Sequence, residues 1–217
     1  MNKIGSWFCK IFLKPAVDRF LIKEARGLGN VPKTNFILAA NHQSHLDQIL
    51  TGYVCVPRRF TYIGQVDRYS GFEAFLRNFL YFIAGVISVN RNKPESRKKA
   101  AEEAIRRLKN GDILIIYPEG TRSRTGEIQK PRPGVAKIYL KTGVPILPIG
   151  IKGTFELMPA GRAFPKLKRE IKINIGKPLH FKEELEVAKN LDCNSEEYRS
   201  ICQKITDRVM EEIKNVI

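Results

Sequence analysis

The sequence predicts an α/β fold: a largely parallel central sheet flanked by helices, preceded by an N-terminal amphipathic two-helix segment. Three observations carry this. Short apolar runs such as Phe36–Ala40 and Ile113–Tyr117 read as strands buried on both faces. Longer stretches between them repeat apolar residues at three- and four-residue steps, the period of a helix. The two patterns alternate along the chain, as they do when helices cross between parallel strands.

The elements follow in order. Residues 2–24 form a cationic amphipathic segment, with Ile4, Trp7, Phe8, Ile11, Phe12, Ala16, Val17, Phe20 and Leu21 in one stripe flanked by Lys3, Lys10, Lys14, Arg19 and Lys23. Pro15 splits it into two short helices. Such a stripe either packs on the protein's own core or lies in a bilayer interface, where Trp and Phe anchor well. Gly27, Gly29 and Pro32 mark a loop, and Asn35–Ala40 a strand. Leu46–Val56 reads as a helix, Phe60–Gly64 as a strand, and the aromatic stretch Phe72–Ile83 as a helix. Val86–Asn90 is a short strand. Pro94–Asn110 is a polar helix stopped by Gly111, with Ala101, Ala104, Ile105 and Leu108 inward. Ile113–Tyr117 is a strand, Gly134–Lys141 a helix closed by Gly143, and Val144–Ile151 and Ile171–Ile175 are strands. The C-terminal helix Ser195–Val216 is capped by Ser195 and lined by Ile201, Ile205, Val209 and Ile213. The division expected is 1–24 for the amphipathic helices and 25–217 for the main domain.

The 217 residues include 38 Lys and Arg against 22 Asp and Glu, a formal charge of +16. That excess favours an anionic partner: nucleic acid, a membrane surface or a phosphorylated substrate. The positive charges flank apolar stripes and mix with acids, and no nucleic-acid-binding motif is present, so a basic nucleic-acid-binding protein is the weaker reading. Arg162, Lys166, Lys168, Arg169 and Lys172 form one basic cluster, either a solvated face or a contact with lipid headgroups or an acidic carrier. The four cysteines (Cys9, Cys55, Cys193, Cys202) show no paired spacing, which argues against a disulfide framework or a zinc site. No apolar run approaches the ~20 residues of a membrane span, and no secretory leader is evident at the N-terminus.

The chemistry concentrates in Asn41–Asp47. His42 and Asp47 stand five residues apart, between a strand end and a helix start. Ser44 followed by Asp47 resembles a capping box, which holds the acid in the first helical turn. Asp47 is then either a capping acid alone or also the partner of the His42 ring. In the second case one ring nitrogen is held and the other accepts a proton from a substrate hydroxyl. His45 is a competing base, and a metal site from His42, His45 and Asp47 is a further alternative. Backbone N–H groups near the Ser44 turn are candidate donors to an oxyanion.

A second cluster, Tyr117-Pro118-Glu119-Gly120-Thr121-Arg122-Ser123, follows an apolar strand, the place where α/β sheets bind ligands. Gly120 permits close backbone approach. Thr121 and Ser123 offer hydroxyls, and Arg122 and Arg124 guanidinium groups suited to phosphate. The bland alternative is a polar loop with a surface Glu–Arg pair. Gly85–Arg91 is a short apolar strand that ends in an arginine. Val144–Ile149 is a strand bracketed by prolines, which suits an edge or a pocket wall.

Together these four segments resemble, in order and spacing, the motif blocks of the glycerophospholipid acyltransferases of the PlsC type, which include the 1-acylglycerol-3-phosphate acyltransferases. The blocks are His-x4-Asp (His42 to Asp47), Gly-x-Ile-x-x-x-Arg (Gly85 to Arg91), Glu-Gly-Thr-Arg (Glu119 to Arg122) and Val-Pro-Ile-x-Pro (Val144 to Pro148). The resemblance implies a glycerol-3-phosphate acyltransferase-like fold, with His42 as general base and Asp47 orienting it. It implies that Arg91 and the block Glu119, Gly120, Thr121 and Arg122 bind substrate, the arginines holding the acceptor's phosphate. The donor would be a fatty acyl thioester of coenzyme A or acyl carrier protein, used as co-substrate, with no cofactor and no metal. The implied reaction is transfer to the free hydroxyl of a lyso-glycerolipid, most simply 1-acylglycerol 3-phosphate, giving phosphatidic acid. The implied place is an anionic membrane surface, peripheral or monotopic on its cytoplasmic face, with residues 2–24 docking. One departure matters. Gln65 stands where many family members carry a lysine, which leaves another lyso-lipid open as acceptor.

Overall fold

The computed structural model describes residues 7, 9–65, 85–90, 92–159, 162 and 164–217. The predicted helix over Phe72–Ile83 lies outside these residues, as does Arg91. The described strands are β1 (Ile22–Arg26), β2 (Ile37–Ala40), β3 (Phe60–Gln65), β4 (Ile87–Val89), β5 (Ile113–Ile116), β6 (Ile146–Lys152) and β7 (Ile171–Ile175). They form one sheet in the order β1-β7-β6-β2-β5-β3-β4. From β6 through β2, β5 and β3 to β4 all neighbours are parallel. β7 runs antiparallel to β6, and β1 runs parallel to β7. The sheet is therefore mostly parallel, with a reversed pair at one edge.

β2 and β5 sit in the middle because every side chain they carry can be buried. Along β2 the residues alternate between faces. Leu38 and Ala40 join a cluster with Leu46, Leu50, Tyr53 and Leu147, while Ile37 and Ala39 join Ala104, Ile138, Ile205 and Val209. The first cluster lies under α1 (Lys14–Phe20) and α2 (Leu46–Cys55). The second lies under α3 (Pro94–Lys109), α4 (Gly134–Thr142) and α7 (Glu196–Asn215). Two short helices, α5 (Thr154–Leu157) and α6 (Lys182–Ala188), complete the set.

The helix ends follow the sequence signals. Gly143 caps α4 with φ 65°, a left-handed backbone that favours glycine. The Ser195 hydroxyl accepts from the Tyr198 N–H at the start of α7, 3.1 Å away. Gly150 of β6 is small because the chain end crosses it: a Cβ there would lie 2.7 Å from the Val216 carbonyl oxygen.

One expectation is corrected. The amphipathic helical pattern predicted through residue 24 ends at Phe20, and Ile22–Arg26 is an edge strand. Leu21 and Ile22 fit both periods, and pairing with β7 decides for the strand: Ile22 registers with Ile171 and Arg26 with Asn174. Pro15 lies in the first turn of α1, where a missing N–H costs nothing. A π-helical turn, Cys9–Leu13, precedes it.

Candidate active site

The site grows out of the C-terminal end of β2. Asn41, fully buried, fastens that end to the end of β6. Its side chain donates to the Ile151 carbonyl and accepts from the Ile151 N–H, both at 2.8 Å. His42 follows, and its backbone is held on both sides. Its N–H donates to Glu119 Oε1 at 2.7 Å, and its carbonyl accepts from the Ser123 N–H at 2.8 Å.

The chain then turns into α2, and Asp47 swings back. Its Oδ2 lies 2.9 Å from His42 Nδ1 and accepts from the Gln43 and Ser44 N–H groups at 2.6 and 2.7 Å. One carboxylate oxygen thus caps the helix and fixes the ring. The two readings of Asp47 are the same geometry. With Nδ1–H donating to Asp47, Nε2 is left with the ring's lone pair. The Tyr117 ring stacks on the imidazole, centroids 3.9 Å apart and planes 13° from parallel. The Tyr117 hydroxyl meets Thr51 Oγ1 at 3.0 Å, and Thr51 donates to the Asp47 carbonyl at 2.8 Å. Burial, then the neighbouring Tyr62 and Asp47, push the Tyr117 phenol well above its ordinary pKa, so it stays neutral.

The expected oxyanion donors near the Ser44 turn are committed elsewhere. The Gln43 and Ser44 N–H groups both point at Asp47, and the Leu46 N–H donates to Ser44 Oγ at 3.1 Å. Ser44 Oγ in turn donates to the Met158 carbonyl at 2.7 Å.

His42 borders a cavity of about 1170 Å³ that Gly120, Thr121 and Arg122 also line. His42, expected as the base, and the guanidinium group expected for phosphate therefore face one space. Arg124 and Arg132 line it too. Among the described residues its wall carries seven arginines and lysines and a single carboxylate, Glu102, so it favours an anion. Its apolar wall includes Ile63, Val89, Ala101, Ile105 and Ile138. His45 borders the cavity as well, but the Asp47 carboxylate is turned to His42. Among the described residues no group of three or more His, Cys, Asp or Glu is placed to hold a metal ion.

Glu119, expected among the substrate-binding residues, is 2% exposed. Both its oxygens are taken by backbone N–H groups, His42 on Oε1 and Gln129 on Oε2 at 2.8 Å. Burial raises its pKa, and those two donors oppose the rise. It braces the loop that carries His42. An amide in its place would turn an NH2 group toward one of the two donors. Glu119→Gln is therefore expected to lose about 1–3 kcal/mol of stability, read by denaturant unfolding. Parent-like stability would show that the brace is dispensable.

Arg132 and Tyr117 were not singled out from the sequence. Arg132 reaches the site because its N–H donates to the Pro118 carbonyl at 2.8 Å, which lays its side chain along Gly120. A Cβ on Gly120, whose φ is 73°, would meet Arg132 Cδ at 3.2 Å. The only sequence signal for Arg132 was an arginine between two prolines just before α4.

A family model described as Acyltransferase matches residues 23–152. The chain belongs to the acyltransferase family. The match spans β1 through β6 and includes His42, Asp47, Glu119 and Arg122. Among curated relatives, a chloroplastic 1-acyl-sn-glycerol-3-phosphate acyltransferase of Brassica napus is 26% identical over 181 residues, 82% of this chain and 51% of its own length. The enzyme of that name from Borreliella burgdorferi is 33% identical over 129 residues, 59% of this chain and 50% of its own. The chain thus spans about half the length of these relatives. In fold it is similar to the crystal structure of the 1-acyl-sn-glycerophosphate acyltransferase PlsC from Thermotoga maritima. The TM-score is 0.61 and the identity 24%, covering 98% of this chain and 94% of that one. Membership brings the expectation of an enzyme to the His42–Asp47 pair.

Proposed function

We propose that this acyltransferase-family protein transfers a fatty acyl group from a thioester to the free hydroxyl of 1-acylglycerol 3-phosphate, giving phosphatidic acid. The single observation that carries the reading is the His42–Asp47 pair opening onto a cavity that also holds Arg122, Arg124 and Arg132. His42 Nε2 takes the proton of the acceptor hydroxyl as that oxygen attacks the thioester carbonyl. The tetrahedral intermediate collapses, the C–S bond breaks, and the imidazolium returns its proton to the departing thiolate. The products are an ester and a free thiol. A thioester is already activated, so no covalent enzyme intermediate is needed.

Arg122, with Arg91 and Arg132, would hold the acceptor's phosphate, with Gly120 and Thr121 beside it. The apolar wall of the cavity would take an acyl chain. The thioester carrier, coenzyme A or acyl carrier protein, serves as co-substrate, and the mechanism calls for neither metal nor cofactor. The names of the relatives support lysophosphatidate as acceptor. Gln65 borders the same cavity, so the residue at this position bears on which lyso-lipid fits. The charge of +16 and the exposed apolar residues Trp7, Ile11, Phe12 and Phe20 support a membrane surface as the place of action. Either proposed carrier would be met on the cytoplasmic face, which is the side this reading assigns. Among the described residues no helix is long and apolar enough to cross a membrane.

The test is acyl transfer to a panel of lyso-lipids with both thioesters. Lysophosphatidate should be the preferred acceptor, and no transfer to any acceptor would end the reading. Within it, Arg122→Ala should raise the acceptor KM about 10–100-fold, the worth of one charge-assisted hydrogen bond. The donor KM should move little. Equal rises in both would remove Arg122 from the phosphate site.

A further inference from the structure

The sheet has a consequence for how the molecule meets lipid. β7 runs opposite to β6, and β1 runs with β7, so β1 and β7 begin at the edge of the sheet where β2 and β6 end. That edge carries His42. Whatever precedes β1 and β7 therefore emerges beside the catalytic edge. β1 is preceded by α1, with Phe20 54% exposed. β7 is preceded by the basic stretch that includes Phe164 and Leu167, and these are 80% and 76% exposed, more than any other large apolar side chain described.

The two approaches are tied together. The Ile171 N–H donates to the Leu21 carbonyl at 3.0 Å, and Arg169 Nε donates to the Ile22 carbonyl at 2.7 Å. On the other side the stretch is anchored near the active site. The Lys166 N–H donates to the Leu157 carbonyl at 3.0 Å, and the next carbonyl, Met158, receives the Ser44 hydroxyl. The exposed side chains Arg162, Lys166 and Lys168 interleave with Phe164 and Leu167. Arg162 Nε donates to the Phe164 carbonyl at 3.0 Å, and among the described residues Lys168 is the one of the three in an ion pair, with Glu170. Two bulky apolar tips ringed by cations match one kind of surface, an anionic bilayer, in which apolar groups enter the acyl boundary and cations meet phosphate.

We infer that Phe164 and Leu167, with Arg162 and Lys166 around them, form a second bilayer contact that inserts into anionic phospholipid beside the N-terminal helices. By sheet order both contacts lie on the β7–β1 side of β2, at the end of the sheet that carries His42, so a leaflet bound there would lie beside the catalytic end of β2. This deepens the membrane reading above without depending on acyl transfer. It gives the basic cluster a role that the reaction itself does not.

The chain has one tryptophan, Trp7, so a reporter can be placed cleanly. Phe164→Trp in a Trp7→Phe background should show blue-shifted emission on phosphatidylglycerol-containing vesicles and quenching by brominated acyl chains. An emission spectrum unchanged by vesicles would overturn the proposal. In flotation, Phe164→Ser with Leu167→Ser should lower partitioning onto those vesicles by about tenfold. Arg162→Gln with Lys166→Gln should lower it too, and with a weaker salt dependence. Thermal unfolding of all variants should match the parent, because the changed side chains are exposed. Two results would count against a bilayer partner: parent-like partitioning of the serine variant, or unchanged partitioning with a raised KM for acyl carrier protein, which would mark a protein-docking face. Transfer to a short-chain, water-soluble acceptor should be unaffected by the serine pair. If the parent shows no such transfer while the tryptophan reporter inserts, acyl transfer fails and the bilayer contact stands.

Discussion

Replacing His42 with alanine is expected to lower kcat for acyl transfer by about 10²–10⁴-fold, the usual worth of a positioned general base. The fold should survive. His42 contributes one hydrogen bond to Asp47 and one ring face to Tyr117, a stack worth about 0.5–1.5 kcal/mol beyond its area. Asp47 keeps its Gln43 and Ser44 N–H donors, and the Glu119 and Ser123 contacts to position 42 are made through backbone atoms. The vacated volume opens onto the cavity rather than leaving a sealed void, so the cavity penalty of a core truncation does not apply in full. Rate and stability should therefore part company, with kcat collapsing and the unfolding midpoint shifting only slightly. Because the arginines proposed to hold the phosphate are untouched, the acceptor KM should stay near the parent value. A variant that folds normally and turns over at the parent rate would remove His42 as the base.

How much of this was legible in advance depended on how local each feature is. The His42–Asp47 pair could be read because a strand end, a Ser–x–x–Asp capping pattern and a helix start all lie within a few residues. The middle strands could be read because β2 and β5 are apolar on both faces whatever their neighbours. β1 could not, because Leu21 and Ile22 satisfy helical and extended patterns alike and the partner that decides lies on β7. Distance in sequence hid the supports of the site in the same way. Asn41 is bonded to Ile151, 110 residues on, and the Glu119 carboxylate serves a backbone group 77 residues before it. From sequence Glu119 looks like a charge beside Arg122, and only its burial turns it into a brace. The oxyanion expectation failed for a related reason. N–H groups at a turn can be foreseen, but their acceptor cannot, and here Asp47 had already claimed two of them.

Asp47 gives the sharper test of how the site is built, because two substitutions separate its two roles. Asp47→Ala leaves the Gln43 and Ser44 N–H groups without an acceptor at the buried start of α2. Each orphaned donor costs about 1–3 kcal/mol, a substantial share of a stability of about 5–15 kcal/mol, so a clear drop in unfolding midpoint is expected along with lost activity. Asp47→Asn is milder for the fold. Its amide oxygen can replace Oδ2 and keep both backbone donors, while its NH2 takes the place of Oδ1, which has no hydrogen-bond partner among the described residues. The stability cost is then one unpaired buried donor, about 1–3 kcal/mol. The catalytic cost is larger. In the proposed mechanism a fully buried carboxylate 2.9 Å from Nδ1 would stabilise the imidazolium formed when His42 takes the hydroxyl proton, and a neutral amide would not. Asp47→Asn should lower kcat by about 10²–10⁴-fold with the acceptor KM nearly unchanged, since the side chain is fully buried behind the ring. Asp47→Asn as active as the parent, with Asp47→Ala merely unstable, would reduce Asp47 to a helix cap and leave His42 without its orienting partner.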